Sequence, residues 1–140
     1  MSTEYFEDIK LHQKCRSGGY HLNEKDIIDF AKEYNLPPFH IDPEFAKNTK
    51  FGGVFAAGIH PVTICVKLVN KRRPRRDRIA TMGWDKVRFV SPAWPGDALV
   101  FEMEAISKRE SNSAPNAGIV RYAVTLLNQR DKPVFTGEQT

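Results

Sequence analysis

The stretch "GVFAAGIHPVTICVKLVN", residues 53–70, is apolar almost all the way round. In its second half Val62, Ile64, Cys65, Val66, Leu68 and Val69 are interrupted only by Thr63 and Lys67. A surface helix keeps one apolar stripe, whereas a helix apolar on every side is wrapped by something. Gly58 followed by Pro61 sets a start near His60, because proline is tolerated in the first helical turn. The ten or so residues that follow rise ~1.5 Å each, roughly 15 Å in all, about half the thickness of a bilayer core. The spacing therefore predicts a core helix over 59–70, and no run in the chain is long enough to span a membrane.

The material that could wrap this helix lies downstream. "WDKVRFV", 84–90, reads as a strand, and "SPAWPGD", 91–97, as a turn-rich break. In "ALVFEMEAISK" the residues Leu99, Phe101, Met103 and Ala105 share one face and Glu102 and Glu104 the other, the period of a half-buried strand. A loop, "RESNSAPNAG", 109–118, leads to "IVRYAVTLLN", where Val120, Tyr122, Val124 and Leu126 alternate against Arg121 and Thr125. "QRDK" is a turn, "PVF" can start an edge strand, and "FTGEQT" is short for a final one. Upstream, "LNEKDIIDFAKEY", 22–34, is an amphipathic helix with Asn23 as its cap and Ile27, Phe30, Ala31 and Tyr34 on one face. Pro37 and Pro38 end it and push the preceding residues toward extended geometry. "DPEFAKN" is a helical turn with Pro43 at a first helical position. Helices first, then a meander of antiparallel strands, define an α+β layout: one sheet curled around one very apolar helix.

At 140 residues, 41% hydrophobic and 27% charged, the chain has ordinary globular composition, and 1–140 is expected to form one domain. Cys15 and Cys65 make no disulfide framework, and Cys65 sits in the apolar run as a buried thiol. A reducing cytoplasm is the natural setting. The N-terminus "MSTEYFEDIK" is polar and acidic, unlike a signal peptide. Much of the +4 net charge falls in "KRRPRRDR", 71–78. Its blandest reading is a solvated loop after the core helix, the next an electrostatic site for coenzyme A phosphates. A nucleic-acid patch is disfavoured, because no aromatic residues interleave the cations. The four histidines lack metal-site spacing, so no metal is expected.

The residues from 30 onward carry a resemblance. Phe30-Ala31, Asn35, Pro37-Pro38-Phe39-His40, Asp42, Ala46 and Phe51-Gly52 follow the hydratase motif of the MaoC-like dehydratases. That group includes the (R)-specific enoyl-CoA hydratases. "AAGIH", 56–60, is similar to the small residues ahead of the family's central helix, and "SPAWPGDAL" to its proline-glycine-aspartate turn. The resemblance covers about residues 4–135 and implies a hotdog fold. It also implies pairing into a homodimer or larger homo-oligomer, or with a partner hotdog subunit, and an acyl-CoA thioester as substrate. No separate cofactor is implied, since coenzyme A belongs to the substrate.

The implied reaction adds water to a trans-2-enoyl thioester to give the (R)-3-hydroxyacyl thioester. One requirement is to orient water and move protons, for which His40 suits neutral pH as acid–base. The other is to stabilise charge on the thioester oxygen, for which backbone N–H groups around Ala57, Gly58 and Ile59 would serve at the helix start. Phe39 would line the substrate site. The chain departs from the motif at Asn35, where active members carry aspartate. A carboxamide can position water but cannot accept a proton. Asn35 could instead be the C-terminal cap of its helix, and His40 a hydrogen-bonded loop residue. A catalytically weak or silent subunit that binds acyl-CoA or supports an active partner is therefore the alternative.

Overall fold

The computed structural model describes residues 2–140. Its elements run β1 (Thr3–Glu4), β2 (Lys14–His21), α1 (Glu24–Tyr34), α2 (Pro43–Lys47), α3 (Ile59–Lys71), β3 (Arg75–Arg76), β4 (Trp84–Phe89), β5 (Ala98–Glu110), β6 (Gly118–Leu127) and β7 (Pro133–Gln139). Short 3-10 turns occupy Phe6–Asp8 and Pro38–His40. Strands β2-β5-β6-β7-β4 form one antiparallel sheet in that order, and β1 pairs with β3 in a small parallel ribbon.

The helix over 53–70 forms as its composition demands. Gly58 is the N-cap and Pro61 lies in the first turn. Ile64, Cys65 and Leu68 are buried in a core shared with Leu99, Phe101 and Met103 of β5, Val124 and Leu126 of β6, and Val134 and Phe135 of β7. The alternation read in β5 and β6 thus selects the face that meets the helix. Ile27 and Ala31 of α1 complete the burial. The wrapping is incomplete in the single chain: Ile59, Thr63, Lys67 and Asn70 form an exposed stripe along α3. Burial raises the Cys65 thiol to about 12, so it is an inert core group.

One strand is unassigned from the sequence and two expectations are revised. Lys14–His21 carries no apolar alternation, yet it is an edge strand paired with β5. Gly18 and Gly19 shift its register, and Gly18, at φ +106°, lets Leu68 of α3 pack flat on the strand. The tail 133–139 is not an edge: β7 lies inside the sheet between β6 and β4. Pro133 sits at its first position, where a missing N–H is tolerated. The β5 strand continues through Glu110, shortening the following loop to 111–117.

The basic segment is more structured than a solvated loop. Arg72 donates from Nη1 and Nη2 to the Glu4 carboxylate at 3.0 and 3.4 Å, and Arg76 donates from Nε at 2.7 Å. The Arg76 guanidinium also lies 4.4 Å over the Tyr122 ring. Two of the cations therefore fasten the N-terminal strand across the end of α3. No helix among the described residues is long and apolar enough to cross a membrane.

Candidate active site

Helix α1 begins as the sequence specifies: the Asn23 side chain accepts from the Asp26 N–H at 2.8 Å. It ends at Asn35, whose N–H still reaches the Ala31 carbonyl at 2.9 Å. Leu36 follows at φ 68°, left-handed rather than extended, and its N–H returns to the same carbonyl at 2.7 Å. Right-handed helix is disfavoured for Leu36 because Pro37 follows, so the chain reverses within one residue. Pro38–His40 then forms a tight turn closed by His40 N–H to the Pro37 carbonyl at 3.1 Å. Asp42 caps α2 through Oδ1, which accepts from Glu44 and Phe45 N–H.

This turn brings His40 into a buried position, 5% exposed, between aromatic rings. Phe39 meets it edge-on at 4.5 Å and Phe55 at 4.7 Å. Nδ1 lies 2.6 Å from the Phe55 carbonyl oxygen. A carbonyl only accepts, so Nδ1 carries the hydrogen and donates. The lone pair is left on Nε2, which is not sealed from solvent. Burial lowers the His40 pKa below the ordinary 6.5, and the Phe55 contact offsets part of that. His40 is thus a neutral imidazole at neutral pH, with a defined tautomer and an available basic nitrogen.

The segment 55–60 links this ring to the start of α3. Ala57 is fully buried, backbone included. Its carbonyl takes the His60 N–H at 2.8 Å. Pro61 has no N–H, and no side chain caps the helix. The Gly58 and Ile59 N–H groups have no acceptor among the described residues. Two adjacent donors at the positive end of a 13-residue helix suit a developing oxyanion. The ring of Phe89 packs over Gly58, where a Cβ would stand 2.7 Å from a ring carbon.

Asn35, at the end of α1, lies on an element in contact with the His40 turn. The residue is half-buried, and its side chain makes no hydrogen bond within the described residues. The C-cap position and a free side chain are therefore both true of it. His60, by contrast, stacks on Phe30 at 4.2 Å and 4°, a packing role. Sequence reasoning missed Phe55, Phe89 and Trp94, which lies 5.7 Å from Phe55. Phe55 acts through its backbone oxygen, which leaves no mark in a sequence, and Phe89 arrives from a distant strand.

These features match a known group. The MaoC-like domain family matches residues 9–127, and the chain belongs to that family. The curated relative YdeM of Bacillus subtilis is 27% identical over 133 residues, covering 94% of this chain and 93% of its own. Among solved structures, the MaoC-like dehydratase of Rhodospirillum rubrum superposes with a TM-score of 0.89 at 29% identity, over 97% of this chain and 93% of that one. The monoamine oxidase regulatory protein of Archaeoglobus fulgidus gives 0.86 at 30%, over 99% and 93%. The R-hydratase PhaJ1 of Pseudomonas aeruginosa gives 0.75 at 26%, over 95% and 81%. The fold is the hotdog: an antiparallel sheet around a central helix.

Proposed function

We propose that this chain is a hydro-lyase that hydrates trans-2-enoyl-CoA to (R)-3-hydroxyacyl-CoA and catalyses the reverse dehydration, working as one domain over 1–140. The observation that carries this is the His40 tautomer, with Nδ1–H spent on the Phe55 carbonyl and Nε2 left basic, joined through residues 55–58 to the two unbonded N–H groups of Gly58 and Ile59. The thioester oxygen accepts from those N–H groups. Asn35 holds the water through its carboxamide. His40 Nε2 removes a proton from water as its oxygen bonds to C3, and electron density shifts onto the thioester oxygen. The imidazolium then returns a proton to C2, and the neutral base is restored. One imidazole performs both transfers in sequence, which makes a slow enzyme but a balanced one.

The test is decay of the conjugated enoyl absorbance of crotonyl-CoA. Wild type should turn over, His40→Ala should lose ~10²–10⁴-fold in kcat, and Asn35→Asp should raise the rate. No turnover in wild type, with none gained in Asn35→Asp, would reject the hydratase reading.

Asn35 itself favours a second reading, a silent hotdog that binds acyl-CoA or supports an active partner subunit. Acyl-CoA binding without turnover, or co-purification with a second hotdog chain, distinguishes it. In either case we expect the chain to pair. Strand β4 has a free outer edge, and Ile79 and Met82 beside it are 86% and 70% exposed. The open stripe of α3 starts at Ile59 on the same side as the candidate site. Light scattering should report a homodimer or larger homo-oligomer. The two free cysteines fit a reducing, cytoplasmic setting.

A further inference from the structure

We infer that Phe89 is the selectivity wall of the thioester slot, and that the site takes acyl thioesters unbranched at the carbon next to the thioester carbonyl. This rests on the oxyanion role proposed for Gly58 and Ile59. Phe89 ends β4 in register with the buried Phe135, so its side chain falls on the face of the sheet that meets α3. A Cβ built on Gly58 would lie 2.7, 2.8 and 2.9 Å from three carbons of the Phe89 ring. The ring therefore rests on the Gly58 backbone and fills the space any side chain there would need. Yet Phe89 is 59% exposed. The residue thus combines close contact with the Gly58 backbone and an open remainder, the placement we assign to a wall beside the Gly58 and Ile59 N–H groups.

The consequence follows from bond lengths. An oxygen accepting from the Gly58 and Ile59 N–H groups lies ~3 Å from those nitrogens. Its carbonyl carbon is one bond further, and that carbon's two substituents, sulfur and the α-carbon, come next. The inference places the α-carbon, rather than the sulfur, on the side of Gly58 that the ring covers. A linear acyl group can lie along the aromatic wall, whereas a methyl on the α-carbon needs the volume the ring holds. One misplaced methyl in such a slot costs ~10–200-fold.

The experiment is calorimetric binding of butanoyl-CoA and 2-methylpropanoyl-CoA, which needs no turnover, to wild type, Phe89→Ala and Phe89→Leu. Thermal melts check folding, and the exposed position of Phe89 makes a large loss of stability unexpected. Wild type should favour butanoyl-CoA by at least ~10-fold, Phe89→Ala should abolish the preference, and Phe89→Leu should fall between. No preference in wild type, or a ratio unchanged in both variants, overturns the inference and leaves the acyl-CoA site standing. Both ligands weakened equally would make Phe89 a structural residue and also overturns it. Wild type binding neither ligand rejects the oxyanion reading, and this inference with it.

Discussion

A histidine becomes a base by where its other nitrogen is held. The Phe55 carbonyl fixes Nδ1–H of His40, and two aromatic edges desolvate the ring. Burial lowers the pKa, partly offset by the carbonyl, so the basic form persists into mild acid. If His40 acts as the base, kcat/KM for enoyl-CoA should stay level through neutrality and fall only below the ordinary value of 6.5. A pH–rate profile with its acidic limb at or above pH 7 would contradict this assignment. The prolines made the end of α1 readable, because they leave few backbone choices; His40 was singled out by the family resemblance alone. The acceptor that orients the ring was not readable, because every residue has a carbonyl.

Among the elements, α3 and the β5–β6 pair were legible from periodicity alone. Their side chains meet one another across a single interface, so each pattern reports its partner. Strand β2 was not legible, because as an edge it buries little beyond Cys15 and Tyr20. Its two glycines matter for what they admit. Gly18 is left-handed, and its would-be Cβ lies 3.1 Å from Leu68. Gly18→Ala should therefore cost ~1–3 kcal/mol, from an unfavourable φ and overpacking against the helix. Gly19, at φ +155°, shares the backbone penalty, but a Cβ there would meet nothing within 4 Å, so the same change should cost less by the missing clash. Urea unfolding of the two variants gives the comparison, and equal losses would mean that contact with Leu68 is not the cause.

At the scale of the molecule, the Glu4 carboxylate ties β1 to the two arginines beyond α3. Burial raises the Glu4 pKa, but hydrogen bonds from Arg76 and Arg72 outweigh it and leave the group below its ordinary 4.5. A depressed carboxylate contributes stability above its unfolded value and loses it as pH falls through the folded one. His40 and His60 are both lowered by burial, the latter partly offset by Asp26. Their contribution is complete above the unfolded 6.5 and declines as pH drops toward their folded values. Urea midpoints should thus fall first below about pH 6.5 and again below about pH 4.5. Glu4→Gln should cost ~1.5–3 kcal/mol at neutral pH, the worth of hydrogen bonds to charged partners, and should flatten only the lower step. A variant that keeps both steps would show that Glu4 is not the acid-sensitive group.

Apolar period by itself determined the central helix, the two long strands that cover it and the α+β class; proline placement ended α1, and only the family resemblance singled out His40. Such signals are local: a helix apolar on all sides must be buried, and a proline restricts its neighbours wherever it stands. Only the tertiary structure decided that β7 is interior, that Arg72 and Arg76 fasten Glu4, that the Phe55 carbonyl orients His40 and that Phe89 packs on Gly58. Each of those depends on contacts between residues far apart in the chain or on a backbone atom. No side-chain pattern encodes either until the sheet has closed around the helix.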